Sequence, residues 1–240
     1  MFERDFTIEY VDIDSNNHLS DYGFFKLLQE IGCLHADSCG LGLKDTLRTR
    51  LAWIILDWKL KVFSRPCWNT KLHIKTWPSK IDAVCCFRDF EITDEVGNRI
   101  AIATSKWVLL NIDTHRISKI TPEIKDAFCP ISESVFETEI EKLKEPDFYE
   151  SDFQYTILRR DIDTNKHLNN LNYVTLAKQA LPEEVFENTE FNSVEVMFKL
   201  QCVLGDTVLF RYHKVSNNNH VVAIKSADNS VLHAIVRFRE

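Results

Sequence analysis

Between Arg159 and Asn172 the sequence reads R-R-D-I-D-T-N-K-H-L-N-N-L-N, just ahead of an apolar run suited to a helix. Asn and Asp favour turns and helix caps because their side chains bond nearby backbone N–H groups. A second acid and a histidine go beyond what a cap requires. A carboxylate at Asp163 can act as a general base or as a nucleophile. The Asn165 amide can orient a water or donate to an oxyanion, and the His167 imidazole can hold a partner or pass a proton. A helix starting at Asn169–Asn170 would add unpaired N–H groups and the positive end of its dipole. Asp161 reads as a strand-end acid that shapes the turn.

The pattern occurs twice. Asp12-Ile13-Asp14-Ser15-Asn16-Asn17-His18-Leu19 repeats it with Asp14 at the place of Asp163. The chain is therefore read as two copies of one unit, with the chemistry in the second. Two differences mark the first copy as a relic or a structural turn. It has Ser20-Asp21 where the second has Asn169-Asn170, and pairing Trp58-Lys59-Leu60-Lys61 with Phe198-Lys199-Leu200-Gln201 sets Lys61 against Gln201.

The elements around these motifs follow from periodicity. Phe6, Ile8 and Tyr10 alternate as a strand, and Phe24, Leu27, Leu28 and Ile31 then recur at helical spacing after the Ser20-Asp21 cap. From Leu51 the period becomes two, with a strand through Val62, a second over Leu72–Thr76 closed by Trp77-Pro78, and two more at about 83–93 and 99–112. Pro122, Pro130 and Pro146 punctuate a Glu/Lys-rich stretch. Phe153, Tyr155 and Ile157 lead into the second motif, and Leu171, Val174 and Leu181 mark a helix that Pro182 follows. Val194 to Cys202 reads as one long strand, and three more follow at about 207–215, 219–226 and 230–239. A helix followed by antiparallel strands, twice, is an α+β pattern. The expected division is 1–125 for the first domain, 126–147 for a linker and 148–240 for the second domain.

The 240 residues carry a net charge of −7, 45% hydrophobic and 27% charged residues, which describes a globular chain and argues against a general nucleic-acid binder. The seven cysteines include no Cys-x-x-Cys pair, so reduced thiols are expected rather than a disulfide framework or a zinc site. Met1-Phe2-Glu3-Arg4-Asp5 leads straight into a strand, which reads as no signal peptide, and no apolar run approaches membrane-spanning length. The expected location is cytoplasmic.

Four stretches resemble the acyl-acyl-carrier-protein thioesterases of plants and bacteria. Asp163-Thr164-Asn165-Lys166-His167-Leu168-Asn169-Asn170 is similar to that family's D-x-N-x-H-x-N-N signature. Leu51-Ala52-Trp53-Ile54-Ile55 with Pro66-Cys67-Trp68, Ala103-Thr104-Ser105-Lys106-Trp107-Val108, and Thr114 to Ile120 resemble its first-domain segments. The resemblance implies two tandem hotdog domains, each an antiparallel sheet around a central helix. It implies hydrolysis of fatty acyl thioesters on acyl carrier protein, with no metal and no organic cofactor. The second domain would supply the catalytic groups, Asp163, Asn165 and His167, and the first would help house the acyl chain. The sequence departs from the family at Gln201-Cys202, where the family usually has Glu. Gln201 cannot act as acid or base but can orient water or Asn165. Cys202 shares the apolar alternation of its strand, so packing is its expected role, with a nucleophile paired to His167 as the alternative. Acidic carrier proteins need a basic surface near the site, for which Arg159, Arg160 and Lys166 are candidates. An acyl-CoA thioesterase of the same fold and a non-hydrolytic acyl-binding protein remain as alternatives, the latter because of Gln201. The oligomeric state is open between monomer and homodimer.

Overall fold

A computed structural model describes all residues, 1–240. The chain divides into two compact units, Met1–Ile140 and Glu141–Glu240. In the first, β1 (Phe2–Thr7) leads through a 3-10 turn (Tyr10–Asp12) to α1 (Asp21–Ser38); a second 3-10 turn (Leu43–Asp45) and α2 (Thr46–Thr49) follow. Strands β2 (Leu51–Val62), β3 (Lys71–Ile81), β4 (Cys85–Asp94), β5 (Arg99–Asn111) and β6 (Arg116–Ser118) come next, then α3 (Pro122–Phe128). The second unit runs β7 (Ser151–Thr156), a 3-10 turn (Arg159–Asp161), α4 (Asn170–Lys178), α5 (Glu183–Asn188), β8 (Ser193–Phe198), β9 (Thr207–Ser216), β10 (Asn219–Ser226) and β11 (Leu232–Arg239).

Every strand pairing within a unit is antiparallel. The first sheet has the order β1-β3-β4-β5-β2, with β6 beside the end of β5. The second has β7-β9-β10-β11-β8. Taken in chain order, the two sheets have the same topology, so the duplication read from the motifs extends through each unit.

Alternation decides which strand face meets the helix. In the first unit Leu60, Leu72, Ile74, Phe90 and Ile92 are buried, as are Phe24, Phe25, Leu28 and Ile31 of α1. Ser20 starts α1 by accepting the Gly23 N–H at 3.0 Å. Gly23 is required there, because a Cβ would stand 2.5 Å from the Asp12 carbonyl oxygen. In the second unit α4 packs on β11, with Val174 and Ala177 buried along with Ala234, Val236 and Phe238. Helix α4 is half the length of α1, nine residues against 18. Pro182 accounts for part of this, since the residue before a proline is pushed out of the helical region.

Two expectations are corrected. Strand β3 does not stop at Trp77-Pro78 but continues to Ile81. Its pairing with β1 reaches only Thr76, so the proline lies where no N–H is needed on that side, next to a bulge between Pro78 and Lys80. The long strand from Val194 to Cys202 ends at Phe198, and Leu200 is exposed. The stretch 126–147, expected as the linker, contains the division at Ile140/Glu141 and has packed residues. Phe128 and Leu143 are buried, Trp77 Nε1 donates to the Glu133 carbonyl at 3.0 Å, and the Val135 N–H donates to Asp89 Oδ2 at 3.1 Å. In the second unit Leu143 packs with Met197, Val221 and Ile235.

Candidate active site

The loop between β7 and α4 is closed by its own acid. Ile162 and Leu168 form a β-bridge, and inside it the Asp163 N–H donates to the His167 carbonyl at 2.9 Å. Lys166 turns the chain at φ 65°, with its N–H on the Asp163 carbonyl. Asp163 Oδ1 accepts the N–H groups of Asn165 at 2.8 Å and His167 at 3.2 Å. One carboxylate oxygen therefore holds the loop, which leaves Oδ2 for a water or a ligand. Asp163 and His167 are half-buried and Asn165 is exposed.

Asp161 joins this loop to both neighbouring elements. Its carboxylate accepts the Leu158 N–H and the Tyr155 hydroxyl, each at 2.8 Å. Its carbonyl accepts the Asn169 N–H at 2.8 Å and the Asn172 amide at 3.3 Å. Asn169 then caps α4, accepting the Leu171 N–H on its side chain and the Asn172 N–H on its carbonyl. Asn170 is the first helical residue, and its N–H is among those a helix cannot pair internally.

The chain after β8 returns to the same loop. The Leu168 N–H donates to the Cys202 carbonyl at 2.9 Å, His167 and Val203 form a bridge, and the Cys202 N–H donates to the Tyr173 hydroxyl at 3.2 Å. Gln201 thus precedes Cys202, which holds Leu168, and lies two residues before Val203, which bridges to His167; it is exposed. Cys202 is fully buried, and burial pushes its thiol up to about 11. A thiol held protonated is a poor nucleophile, and burial at 0% exposure suits the packing role expected of Cys202. Tyr173, which ties α4 to this return segment, was not singled out in the sequence; nothing but its position four residues after Asn169 marks it there.

The first unit repeats the loop bond for bond. Asp14 Oδ1 accepts the Asn16 N–H at 2.9 Å and the His18 N–H at 3.0 Å, and Asn17 turns at φ 65°. His18 bridges to Cys67, and the Leu19 N–H donates to the Pro66 carbonyl. These contacts set the equivalence of the return segments: Pro66 corresponds to Cys202, and Gln201 to Arg65. The pairing of Gln201 with Lys61 is therefore wrong by four residues.

The corrected register separates the two copies chemically. In the first, Arg65 donates to the Leu19 carbonyl at 2.9 Å and to Asp21 Oδ1 at 2.6 Å, and Asp21 stands at the first position of α1. Both side chains are nearly fully buried. A carboxylate thus occupies the helix start, neutralised by a guanidinium. In the second copy the same two positions hold the neutral amides of Asn170 and Gln201. Asp14 and His18 are also exposed, whereas Asp163 and His167 are half-buried.

Arg159, Arg160 and Lys166 are exposed beside the second loop, with Arg160 3.8 Å from Asp161. Leu158, Val203 and Leu204 nearby are exposed as well. A cavity of about 510 Å³ in the second unit, lined by Leu143, Val221, Ile235 and Arg237 among others, includes none of the loop residues.

Comparison with known proteins bears on this arrangement. The profile of the acyl-ACP thioesterase N-terminal domain matches residues 1–128, and that of the C-terminal domain matches residues 144–239. Oleoyl-acyl carrier protein thioesterase 1, chloroplastic, of Arabidopsis thaliana is 28% identical over 224 residues, 86% of this chain and 62% of that protein. The oleoyl-acyl carrier protein thioesterase of Coriandrum sativum is 29% identical over 227 residues, 86% of this chain and 61% of its own. The chain thus spans less than two thirds of the length of these curated relatives. An acyl-ACP thioesterase from Bacteroides thetaiotaomicron superimposes with a TM-score of 0.88 at 20% identity, covering 99% of this chain and 96% of the other. The 12:0-ACP thioesterase from Umbellularia californica gives 0.87 at 22%, with the same coverage. Structures this distant establish the double-hotdog fold, and the two profiles, together spanning nearly the whole chain, establish that it belongs to the acyl-ACP thioesterase family.

Proposed function

We propose that the chain hydrolyses fatty acyl thioesters of acyl carrier protein to free fatty acid and carrier thiol, in fatty acid biosynthesis, through the second loop. Asp163 takes a proton from a water through Oδ2, and the hydroxide adds to the thioester carbonyl carbon. The N–H of Asn170 and the dipole of α4 stabilise the oxyanion; one such donor is typically worth about 10²–10³ in rate. Asn165 orients the water or supplies a further donor. Collapse expels the thiolate, which His167 protonates. Gln201 acts by hydrogen bonding alone. The observation that carries the reading is the difference between two loops of one geometry: the first has a buried Asp21–Arg65 ion pair at its helix start, and the second has neutral amides there.

Arg159, Arg160 and Lys166 form the docking surface for the acidic carrier, with the exposed Leu158 and Leu204 as apolar contacts. All seven cysteines are free thiols, which suits a reducing compartment such as the cytoplasm. The deciding experiment is thiol release over a series of acyl chain lengths, on carrier protein and on CoA in parallel. Release from acyl carrier protein supports the proposal. Release from CoA alone replaces the substrate, and acyl binding without release would favour a non-hydrolytic protein, the reading that Gln201 invites.

A further inference from the structure

Two cysteines at the ends of two helices share one anchoring point in the first unit. Cys39 is the C-cap of α1, and Cys129 is the C-cap of α3. The Cys39 thiol donates to the Ala127 carbonyl at 3.3 Å, a contact across 88 positions of sequence. The Cys129 thiol donates to the carbonyl of Asp126, next to Ala127 in the same helix, at 3.1 Å. Consecutive carbonyls of a helix are offset by only about 1.5 Å along its axis, so the two sulfurs are gathered at one helix end. Cys129 has φ 44°, in the left-handed region that favours Gly at a helix C-terminus. Cys129 is exposed and Cys39 half-buried, which gives the pair an accessible member and a shielded one.

We propose that Cys39 and Cys129 are a redox-responsive thiol pair that closes to a disulfide under peroxide. The exposed Cys129 thiolate attacks the peroxide, breaking its O–O bond to give a sulfenic acid and water. The Cys39 sulfur then attacks that sulfenic sulfur, the S–S bond forms, and a second water leaves; two thiols are oxidised and one peroxide is reduced. Burial raises the pKa of the Cys39 thiol, and the Cys129 thiol nearby adds to it. Cys39 is therefore the poorer first attacker, and in the second step it reacts as the thiolate, its proton leaving with the departing hydroxyl as water. The bond would tie α3, whose buried Phe128 packs 5.3 Å from His35 and 5.6 Å from Trp53, to the end of α1.

The test is hydrogen peroxide treatment of the full chain, alkylation of remaining thiols, and peptide mass mapping without reductant. A Cys39–Cys129 peptide that dithiothreitol removes is expected, with loss of two free thiols of the seven. Closing so long a loop should raise Tm by about 5 °C or more. Cys39→Ser and Cys129→Ser should each abolish the link, while Cys85→Ser keeps it. Cys129 oxidised to sulfinic acid with Cys39 still free, a cross-link between two copies, or a link to any other cysteine would overturn the proposal.

Discussion

Replacing Asp163 by Ala removes two things, and the duplicated loop allows them to be measured separately. The first is structural: the side chain accepts two backbone N–H groups, at 2.8 and 3.2 Å. Losing a cap-like acceptor of this kind costs about 0.5–2 kcal/mol, and at this chain length each kcal/mol lowers Tm by roughly 2–4 °C. Asp14 makes the same two bonds at 2.9 and 3.0 Å, so Asp14→Ala should cost a similar amount. The second is chemical. Positioned proton transfer contributes about 10²–10⁴ in rate, or roughly 3–5 kcal/mol of barrier. Asp163→Ala should therefore reduce kcat at least a hundredfold, while Asp14→Ala leaves it within a few-fold. Asp163→Asn separates the effects in one site, since its amide oxygen can still hold the loop but cannot take a proton. It should keep Tm and lose turnover. The assay is thiol release from acyl carrier protein at 25 °C beside thermal denaturation of each variant. Equal loss of kcat in the two Ala variants, or full activity in Asp163→Asn, would refute the assignment of chemistry to the second copy.

Gln201→Glu restores a carboxylate at an exposed position, so stability should stay within about 0.5 kcal/mol. Turnover should fall, because the added charge competes for the N–H groups at the start of α4, and a faster enzyme would show instead that a carboxylate serves the reaction at this position. Cys202→Ala should keep most of its activity, because the thiol is buried and pushed up to about 11; complete inactivation at unchanged folding would favour it as a nucleophile. Reversing Arg159, Arg160 and Lys166 to Glu should raise KM for carrier-bound substrate far more than for a short soluble thioester, and an equal effect on both would rule out docking. Burial, with the Arg88 charge 2.8 Å away, holds the His35 imidazole down at about 3. The unfolded chain thus binds a proton at this residue below pH 6.5 that the folded chain refuses. Stability should fall with pH between 6.5 and 3, by up to about 1.4 kcal/mol per unit from this group. Urea unfolding at pH 7 and 5 should show a shallower loss in His35→Gln than in the parent; equal slopes would count against it.

Most of the fold was legible because alternation and helical spacing are local properties. The apolar faces of β2 and α1 could be read directly, and the repeated D-x-D-x-N-x-H pattern announced the duplication. The end of β8 was not legible. Leu200 and Cys202 continue the alternation of Val194, Val196 and Phe198, yet the regular pairing with β11 stops at Phe198 and Ala234; the Lys199 and Leu200 N–H groups both converge on the His233 carbonyl, and the Cys202 carbonyl serves Leu168. Hydrogen bonds to a distant loop leave no periodic trace. The same blindness misplaced Gln201, because its true counterpart, Arg65, is defined by what the backbones at Leu19 and Leu168 bind rather than by any similarity of side chains.

That correction bears on why a duplicated loop could divide its labour. The bonds that shape the loop run from backbone to one carboxylate oxygen, so they constrain an acid at position 14 or 163 and say nothing about catalysis. What differs is the residue pair at the helix start. A negative charge at a helix N-terminus is stabilised by the dipole, and the Arg65–Asp21 pair, buried, is costly to break from one side. The first copy therefore gains a firm attachment between α1 and its return segment, at the expense of any room for a second anion. Neutral amides in the second copy give up that attachment. They leave the partial positive charge of α4 uncompensated, which is the condition for binding a developing oxyanion. On this account, introducing Asp at Asn170 should cripple turnover even with Asp163, Asn165 and His167 intact, because the charge it brings competes for the same N–H groups. Activity that survives Asn170→Asp would mean that the oxyanion is stabilised elsewhere and that the helix start of the second copy is structural, like the first.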